Sequence, residues 1–226
     1  MESLRKNWYE IYQNKGALWA RRENTNDPHV EVSTECHSDG FFNYKKVISD
    51  PFLMKQVSFD ILEILSEKGC NLNEIDGLLG ILDDDAILAR SISTHFKQTF
   101  STALTVTKSS FDRKIFLSDE EMLVVKKSNM LLCTNVIAKG ENLKAISYLM
   151  RDEGVNLLPY VATLMNRSGY KEIAGLEIIS PLNFPFETWD SYCCDLCMDG
   201  NKVISGKKEW KKLIQYPDVP LVKGKE

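Results

Sequence analysis

Apolar positions along this chain alternate between strand-like runs and helical stripes, and that alternation predicts the architecture. Met130-Leu131-Leu132-Cys133 is a short apolar run bounded by polar residues. It is too short for a helix and predicts a buried strand over 130–133. Thr134 to Gly140 follows as a tight polar turn. From Glu141 onward Leu143, Ile146, Leu149 and Met150 recur at helical spacing, and Gly154 ends that helix. Upstream, residues 50–68 carry a full set of helix signals: Asp50 as cap, Pro51 at the first helical position, and a stripe of Leu53, Val57, Ile61, Leu62 and Leu65 closed by Gly69. Ile75 to Leu82 predicts a buried strand ending in Asp83-Asp84-Asp85. Residues 86–97 predict a helix with Ile87, Leu88, Ser91, Ile92 and Phe96 turned inward.

Phe100 to Val106 alternates weakly, Lys108 to Lys114 is polar and basic, and Ile115-Phe116-Leu117 returns to apolar, which predicts a hairpin or a loop. Val155 to Met165 reads as another strand, with Pro159 tolerated only near an end or a bulge. Leu176 to Ile179 is a further strand. At the N-terminus, residues 4–20 predict an amphipathic helix with Leu4, Trp8, Ile11 and Tyr12 on one face, ended by Asn14 and Gly16. Val30 and Val32 flank Glu31 as a strand signal, and Asp39-Gly40 marks a turn before the strand-like Phe41-Phe42. From Pro181 the composition shifts to prolines, aromatics, cysteines and a basic tail with Pro217 and Pro220. The expectation is a single domain over 1–226: an N-terminal hood (1–49), an α/β core (50–180) and a C-terminal extension (181–226) draped over the core. Alternating units predict a mainly parallel central sheet flanked by helices. Ligands bind at the carboxyl ends of such strands, here Asp83–Asp85, Thr134–Gly140 and Asn166–Gly169.

Composition narrows the classes. Hydrophobic residues make up 43% and charged residues 27% of 226, which fits an ordinary globular chain with a sizeable core. A net charge of −4 gives no nucleic-acid footprint. No apolar run approaches the ~20 residues of a membrane span. The N-terminal MESLRKNWYEIY lacks an apolar secretion core, so a cytoplasmic location is expected. The cysteines are Cys36, Cys70, Cys133, Cys193, Cys194 and Cys197, expected as thiols. Cys194-Asp-Leu-Cys197 is a lone CxxC. A closed zinc site takes four ligands, so zinc would have to borrow Cys193, Cys36, His37 or a partner chain. The expectation is a plain turn with packed thiols and no metal.

A strand turning through a glycine into a helix N-terminus is a ready anion site, because outward N–H groups and the helix dipole favour negative charge. Lys139 adds a cation. The stretch from Met130 to Asn142 is similar to the signature of type I phosphoribosyltransferases: a strand, two acidic residues, Val-Ile or Val-Val, Thr-Thr or Thr-Ala, a glycine and a helix. Here Thr134-Asn135 stand at the acidic pair and Ala138-Lys139 at the threonines. From about Tyr12 to Gly200 the chain resembles an orotate phosphoribosyltransferase. The resemblance is carried by Tyr12 to Leu18, by His37-Ser38-Asp39-Gly40-Phe41-Phe42-Asn43, by Asp50-Pro51, by Asn166-Arg167-Ser168-Gly169 and by Cys194-Asp-Leu-Cys197-Met-Asp-Gly200.

What the resemblance implies is a type I phosphoribosyltransferase-like fold with a base site at Phe41, Phe42 and Arg167. It also implies a ribose site at Thr134 and Asn135, and a phosphate site over Val136, Ile137, Ala138, Lys139, Gly140, Glu141 and Asn142. Mg²⁺ accompanies the phosphoribosyl pyrophosphate donor in that family, and no other cofactor is implied; its members are usually dimers. The departures change the chemistry. The acidic pair that positions the sugar is uncharged here, and the glycine-rich pyrophosphate cradle is replaced by Asp83, Asp84 and Asp85, which repel a diphosphate. One reading is a degenerate, nucleotide- or ribose-phosphate-binding protein acting as an effector or accessory subunit, as this fold does in transcriptional repressors and in bacterial retron anti-phage systems. A second is an enzyme that cleaves the N-glycosidic bond of a nucleotide, nucleoside or NAD-like molecule, with Asp83, Asp84 and Asp85 as the catalytic carboxylates. A third is a working orotate phosphoribosyltransferase of pyrimidine synthesis.

Overall fold

The computed structural model describes residues 6–22, 26–96, 100–103, 105–108, 113–117 and 119–216. In chain order the first elements are α1 (Trp8–Asn14), β1 (Leu18–Ala20), β2 (His29–Ser33), β3 (Cys36–Ser38), β4 (Gly40–Phe42) and α2 (Lys45–Ile48). The middle of the chain gives α3 (Pro51–Glu67), β5 (Gly77–Gly80), α4 (Asp85–Ser93), β6 (Phe100–Ala103), β7 (Thr105–Lys108), β8 (Arg113–Phe116), α5 (Asp119–Lys126), β9 (Asn129–Ile137), α6 (Glu141–Asp152), β10 (Asn156–Asn166), β11 (Glu172–Ile173) and β12 (Leu176–Ile179). The last elements are β13 (Thr188–Asp190), α7 (Asp195–Met198), β14 (Val203–Ser205) and α8 (Trp210–Leu213). The chain divides into two compact units: residues 48–184, and residues 1–47 together with 185–226.

The 48–184 unit is built on a six-stranded sheet in the order β11-β12-β10-β9-β5-β6. Every pairing is parallel except the edge pair β11–β12. This is the mainly parallel sheet expected, with β9 central and Leu131 and Leu132 both at 0% exposure. Alternate residues of β9 serve opposite faces. Met130 and Leu132 join Leu79, Val161 and Ile178 in one cluster with Val125 of α5 and Leu143, Ile146 and Met150 of α6. On the other face Gly80 lies opposite Cys133 and looks onto the start of α4. There α3 packs on α4, with Ser58 donating to Ser91 (2.7 Å) and Ser91 to the Met54 carbonyl (3.1 Å). Helix α3 starts as its sequence dictates: the Asp50 carboxylate accepts from the N–H groups of Phe52 and Leu53, with Pro51 in the first turn. Strand β10 carries a bulge between Leu157 and Val161, which accommodates the exposed Pro159.

The 1–47/185–226 unit holds a four-stranded sheet, β13-β3-β2-β14, and the antiparallel pair β1–β4. Its strands β13 and β14 come from the C-terminal extension, so the extension is hydrogen-bonded into the sheet of the N-terminal segment. Trp19, Val30, Phe41, Ile204, Trp210 and Leu213 form its core.

Several boundaries differ from the sequence expectation. β9 runs to Ile137 rather than stopping at 133, because β10 is long enough to pair with it as far as Asn166 opposite Ile137. The turn shrinks to Ala138–Gly140. Helix α1 ends at Asn14 and Leu18–Ala20 is a strand, paired with Gly40–Phe42. Leu4, Pro217, Pro220 and residue 97 lie outside the described residues. Ile87 is 37% exposed; α4 buries Leu88, Ala89 and Ile92 instead. β7 and β8 pair antiparallel, which matches the hairpin of the two alternatives, hairpin or loop; residues 109–112 of the basic stretch lie outside the described residues. Helix α5 and strand β3 had no clear periodic signal, and both are shorter than the windows in which a period shows.

Gly80 ends β5 where α4 begins. A methyl group there would stand 2.5 Å from the Ala86 nitrogen and 2.8 Å from the Asp85 carbonyl carbon, both backbone atoms that cannot swing aside. Gly80→Ala is therefore expected to lower stability by about 1–3 kcal/mol, measured by urea denaturation. An unchanged midpoint would show that α4 does not begin against β5.

Candidate functional site

In the 48–184 unit the ends of β5 and β9 are joined by one carboxylate. Asp85, at the first position of α4, is 4% exposed. Its Oδ2 accepts from the Leu82 N–H (3.0 Å) and the Thr134 hydroxyl (3.2 Å), and its Oδ1 accepts from the Asn135 N–H (2.7 Å). Burial pushes its carboxyl up to about 6, although those hydrogen bonds, the Asn135 one foremost, pull the other way. Asp83 is exposed and Asp84 half-buried. The expected trio of catalytic carboxylates is thus split: Asp85 is committed to holding two strand ends together, and only Asp83 and Asp84 stand nearer to solvent. Burial also pushes the Cys133 thiol far up, leaving it an inert core group.

Beyond Asn135 the chain finishes β9, turns at Ala138–Gly140 and enters α6. Gly140 has φ +75°, and a methyl group on it would meet Ile173 at 2.4 Å. The turn geometry therefore requires glycine. Val136 and Ile137 belong to the strand, and Ile137 is core. Ala138 is half-buried; Lys139, Glu141 and Asn142 are exposed around the helix start. Asn135 is 2% exposed, and both polar atoms of its side chain lack a partner among the described residues. Such an orphaned amide calls for water or a ligand. Beside the turn, the Arg167 N–H donates to the Ile137 carbonyl (2.8 Å), and Arg167 is buried. Asn166 organises the exit of β10 from within: its amide donates to the Tyr170 carbonyl (2.8 Å) and to Asn183 (3.0 Å) and accepts from Ser168. The segment Asn166-Arg167-Ser168-Gly169 marks the strand exit in the sequence, but nothing in it marks the inward role of Asn166.

In the 1–47/185–226 unit Phe41 and Phe42, expected at a base site, are core. Phe42 packs on Tyr12 with ring centroids 4.8 Å apart, and Phe41 on Trp210 at 5.6 Å. This unit also brings together four side chains that the sequence separates widely. His29 Nε2 lies 3.3 Å from His37 Nδ1, 3.3 Å from Cys197 Sγ and 3.5 Å from Cys194 Sγ; Cys197 Sγ lies 3.3 Å from His37 Nδ1. Burial, His37 and Arg21 hold the His29 imidazole at about 4, so it is neutral at physiological pH. His37, Cys194 and Cys197 stand out in the sequence as candidate ligands; His29 does not. Strand register places it there: Glu31 pairs with His37, so His29, two residues before Glu31, faces the same side as His37.

No protein-family model matches the sequence, and no curated protein matches it. Solved structures do. Orotate phosphoribosyltransferase from Aeropyrum pernix superposes with a TM-score of 0.55 at 11% identity, covering 77% of this chain and 92% of that one. Orotate phosphoribosyltransferase from Mycobacterium tuberculosis, in complex with inorganic phosphate, gives 0.54 at 17% identity, covering 78% and 95%. Adenine phosphoribosyltransferase from Trypanosoma brucei, in complex with AMP, pyrophosphate and ribose-5-phosphate, gives 0.52 at 16% identity, covering 80% and 81%. The chain has a type I phosphoribosyltransferase-like fold. The β9–turn–α6 segment on which the sequence resemblance was drawn thus lies at the centre of a phosphoribosyltransferase-like sheet, with Thr134 and Asn135 at its carboxyl end.

Asp85 gives this site a pH signature. Its folded-state value of about 6 lies above the ordinary carboxylate value of about 3.9. A group raised on folding stabilises the fold while protonated, and that contribution is lost as pH rises from about 4 to about 6. The expected loss is about 3 kcal/mol. Asp85→Asn removes the titration and also replaces one acceptor oxygen with a donor, destabilising the protein by about 1–3 kcal/mol at low pH. Urea denaturation of both proteins across this range checks it; parallel pH profiles would dismiss the role given to Asp85.

Proposed function

We propose that this chain is a phosphoribosyltransferase-fold protein that binds a nucleotide or ribose phosphate at the ends of β5, β9 and α6 without transferring the phosphoribosyl group. The observation that carries the reading is the state of the β9 end. Where the resemblance places two free carboxylates, Thr134 and the Asn135 backbone are tied to Asp85. Where it places a glycine cradle for pyrophosphate, the chain has Asp83 and Asp84, whose charge opposes a diphosphate. Binding is favoured by what is left. The N–H groups opening α6 have no intrahelical partner, Lys139 borders the turn, and the Asn135 amide is buried without a partner among the described residues. The structurally similar proteins include one holding inorganic phosphate and one holding AMP and ribose-5-phosphate. An effector or accessory role, such as that of the retron proteins with this fold, follows from binding without turnover, with a homodimer or a partner protein as the output.

The orotate site supports this less directly. Phe41 and Phe42 spend their faces on Tyr12 and Trp210, so base recognition falls to other groups. Loss of the Asp85 carboxylate to internal hydrogen bonding leaves the glycoside-cleaving alternative with Asp83 and Asp84 alone.

Calorimetric titration with ribose-5-phosphate, AMP, orotidine monophosphate and NAD is expected to show binding of at least one. Phosphoribosyl pyrophosphate with orotate or adenine and Mg²⁺ should release no pyrophosphate. A charge-assisted hydrogen bond contributes about 1.5–3 kcal/mol, so Lys139→Ala should weaken binding about tenfold or more. Gly140 is unsuited to this test, since any other residue is strained at φ +75° and its side chain also meets the end of Ile173. Pyrophosphate release would establish a working transferase, release of free base would establish the hydrolase, and absence of binding by all four ligands would end the proposal.

A further inference from the structure

The four side chains gathered in the 1–47/185–226 unit meet the requirements of a closed metal site. We propose that His29 Nε2, His37 Nδ1, Cys194 Sγ and Cys197 Sγ bind one zinc ion as a structural Cys2His2 centre. This is independent of the nucleotide site.

Geometry carries the proposal. All four atoms lie within 4.8 Å of one another. With Zn–S near 2.3 Å and Zn–N of 2.0–2.1 Å, a tetrahedron has edges of about 3.3 Å for N–N, 3.6 Å for N–S and 3.8 Å for S–S. The N–N edge here is 3.3 Å, and three N–S edges are 3.3, 3.3 and 3.5 Å. Hydrogen bonding alone does not account for the set. One imidazole nitrogen offers a single N–H or a single lone pair, yet His29 Nε2 has three heteroatoms around it at these distances. A cation at the centre satisfies all four at once. The group is too small for a diiron cluster, whose ligands are divided between two metals.

The scaffold fits the same reading. His29 and His37 project from one face of the β2–β3 hairpin. Cys194 caps α7 and Cys197 lies within it, their loop closed by the Cys197 N–H and Met198 N–H on the Cys194 carbonyl (3.0 and 3.1 Å) and by Gly200 at φ +77°. His29, His37 and Cys194 are buried and Cys197 is half-buried. Two thiolates, formed by giving their protons to solvent, cancel the charge of Zn²⁺, so the buried centre is neutral. Four protein ligands leave no open position, which is the mark of a structural site. The ion would tie residues 168 positions apart in sequence, His29 and Cys197, fastening the C-terminal segment to the N-terminal hairpin.

Untagged full-length protein purified without chelator should contain zinc equimolar with the chain by elemental mass spectrometry. Cys197→Ser and His37→Ala should each retain less than about a tenth of it. Cys36→Ser and Cys193→Ser, which change thiols outside the cluster, should retain all of it. Cobalt(II) in place of zinc should give the visible bands of tetrahedral coordination with a sulfur charge-transfer band, and His37→Cys should keep the ion with a stronger sulfur band. Chelation should lower the thermal midpoint, and zinc should restore it. If Cys197→Ser fails to fold, the cobalt spectra of the parent and of His37→Cys decide. A parent that takes up neither metal, a Cys194–Cys197 disulfide in the intact mass, or metal retained in Cys197→Ser would overturn the assignment.

Discussion

The structure of the 48–184 unit depends on a buried carboxylate accepting three hydrogen bonds between two adjacent strands. Asp85 lies at the start of α4, yet its bonds to Thr134 and Asn135 fix the end of β9 against the end of β5. A carboxylate out of water is unfavourable unless its lone pairs are used, and here both oxygens are engaged. Gly80 makes this possible by letting the helix start almost in contact with the strand. In an α/β sheet this edge is where ligands are held. The same interaction occupies the Thr134 hydroxyl and the Asn135 backbone N–H and leaves the Asn135 side-chain amide unpartnered among the described residues.

Much of the fold was legible because its signals are local and redundant. Asp50, Pro51 and a stripe from Leu53 to Leu65 leave little choice about α3. The run Met130–Cys133 reads as a buried strand, and Pro159 calls for a strand end or a bulge, of which the structure supplies the bulge between Leu157 and Val161. What escaped depends on partners distant in sequence. β9 outgrew its apolar run because β10 pairs with Thr134 to Ile137, which no residue in that stretch declares. β1 and β3 are three residues long and exist by virtue of β4, β2 and β13. Ile87 looked like a buried residue by spacing, yet the small Ala89 takes the packed position.

The candidate sites divide the same way. The turn into α6 was readable from Gly140, whose positive φ the structure requires. The inward role of Asp85 was not, because three consecutive aspartates are indistinguishable until one is seen to face a strand end. Phe41 and Phe42 are expected at a base site from their motif, and the structure shows them packed on Trp210 and Tyr12. The lone CxxC has two thiols of its own, and the structure brings His29 and His37 to it from a hairpin more than a hundred residues earlier.

The composition of the β13-β3-β2-β14 sheet has a consequence for synthesis on the ribosome. Its two inner strands are made first and its two outer strands last. Until residues 188–205 have emerged, the β2–β3 hairpin presents unpaired backbone on both flanks, the condition that invites mispairing with other chains. The 48–184 unit is contiguous in sequence, and its six-stranded sheet takes every strand from within that stretch. The interval between synthesis of the hairpin and synthesis of residues 188–205 is then the period in which its flanks are open to mispairing or to capture by a chaperone.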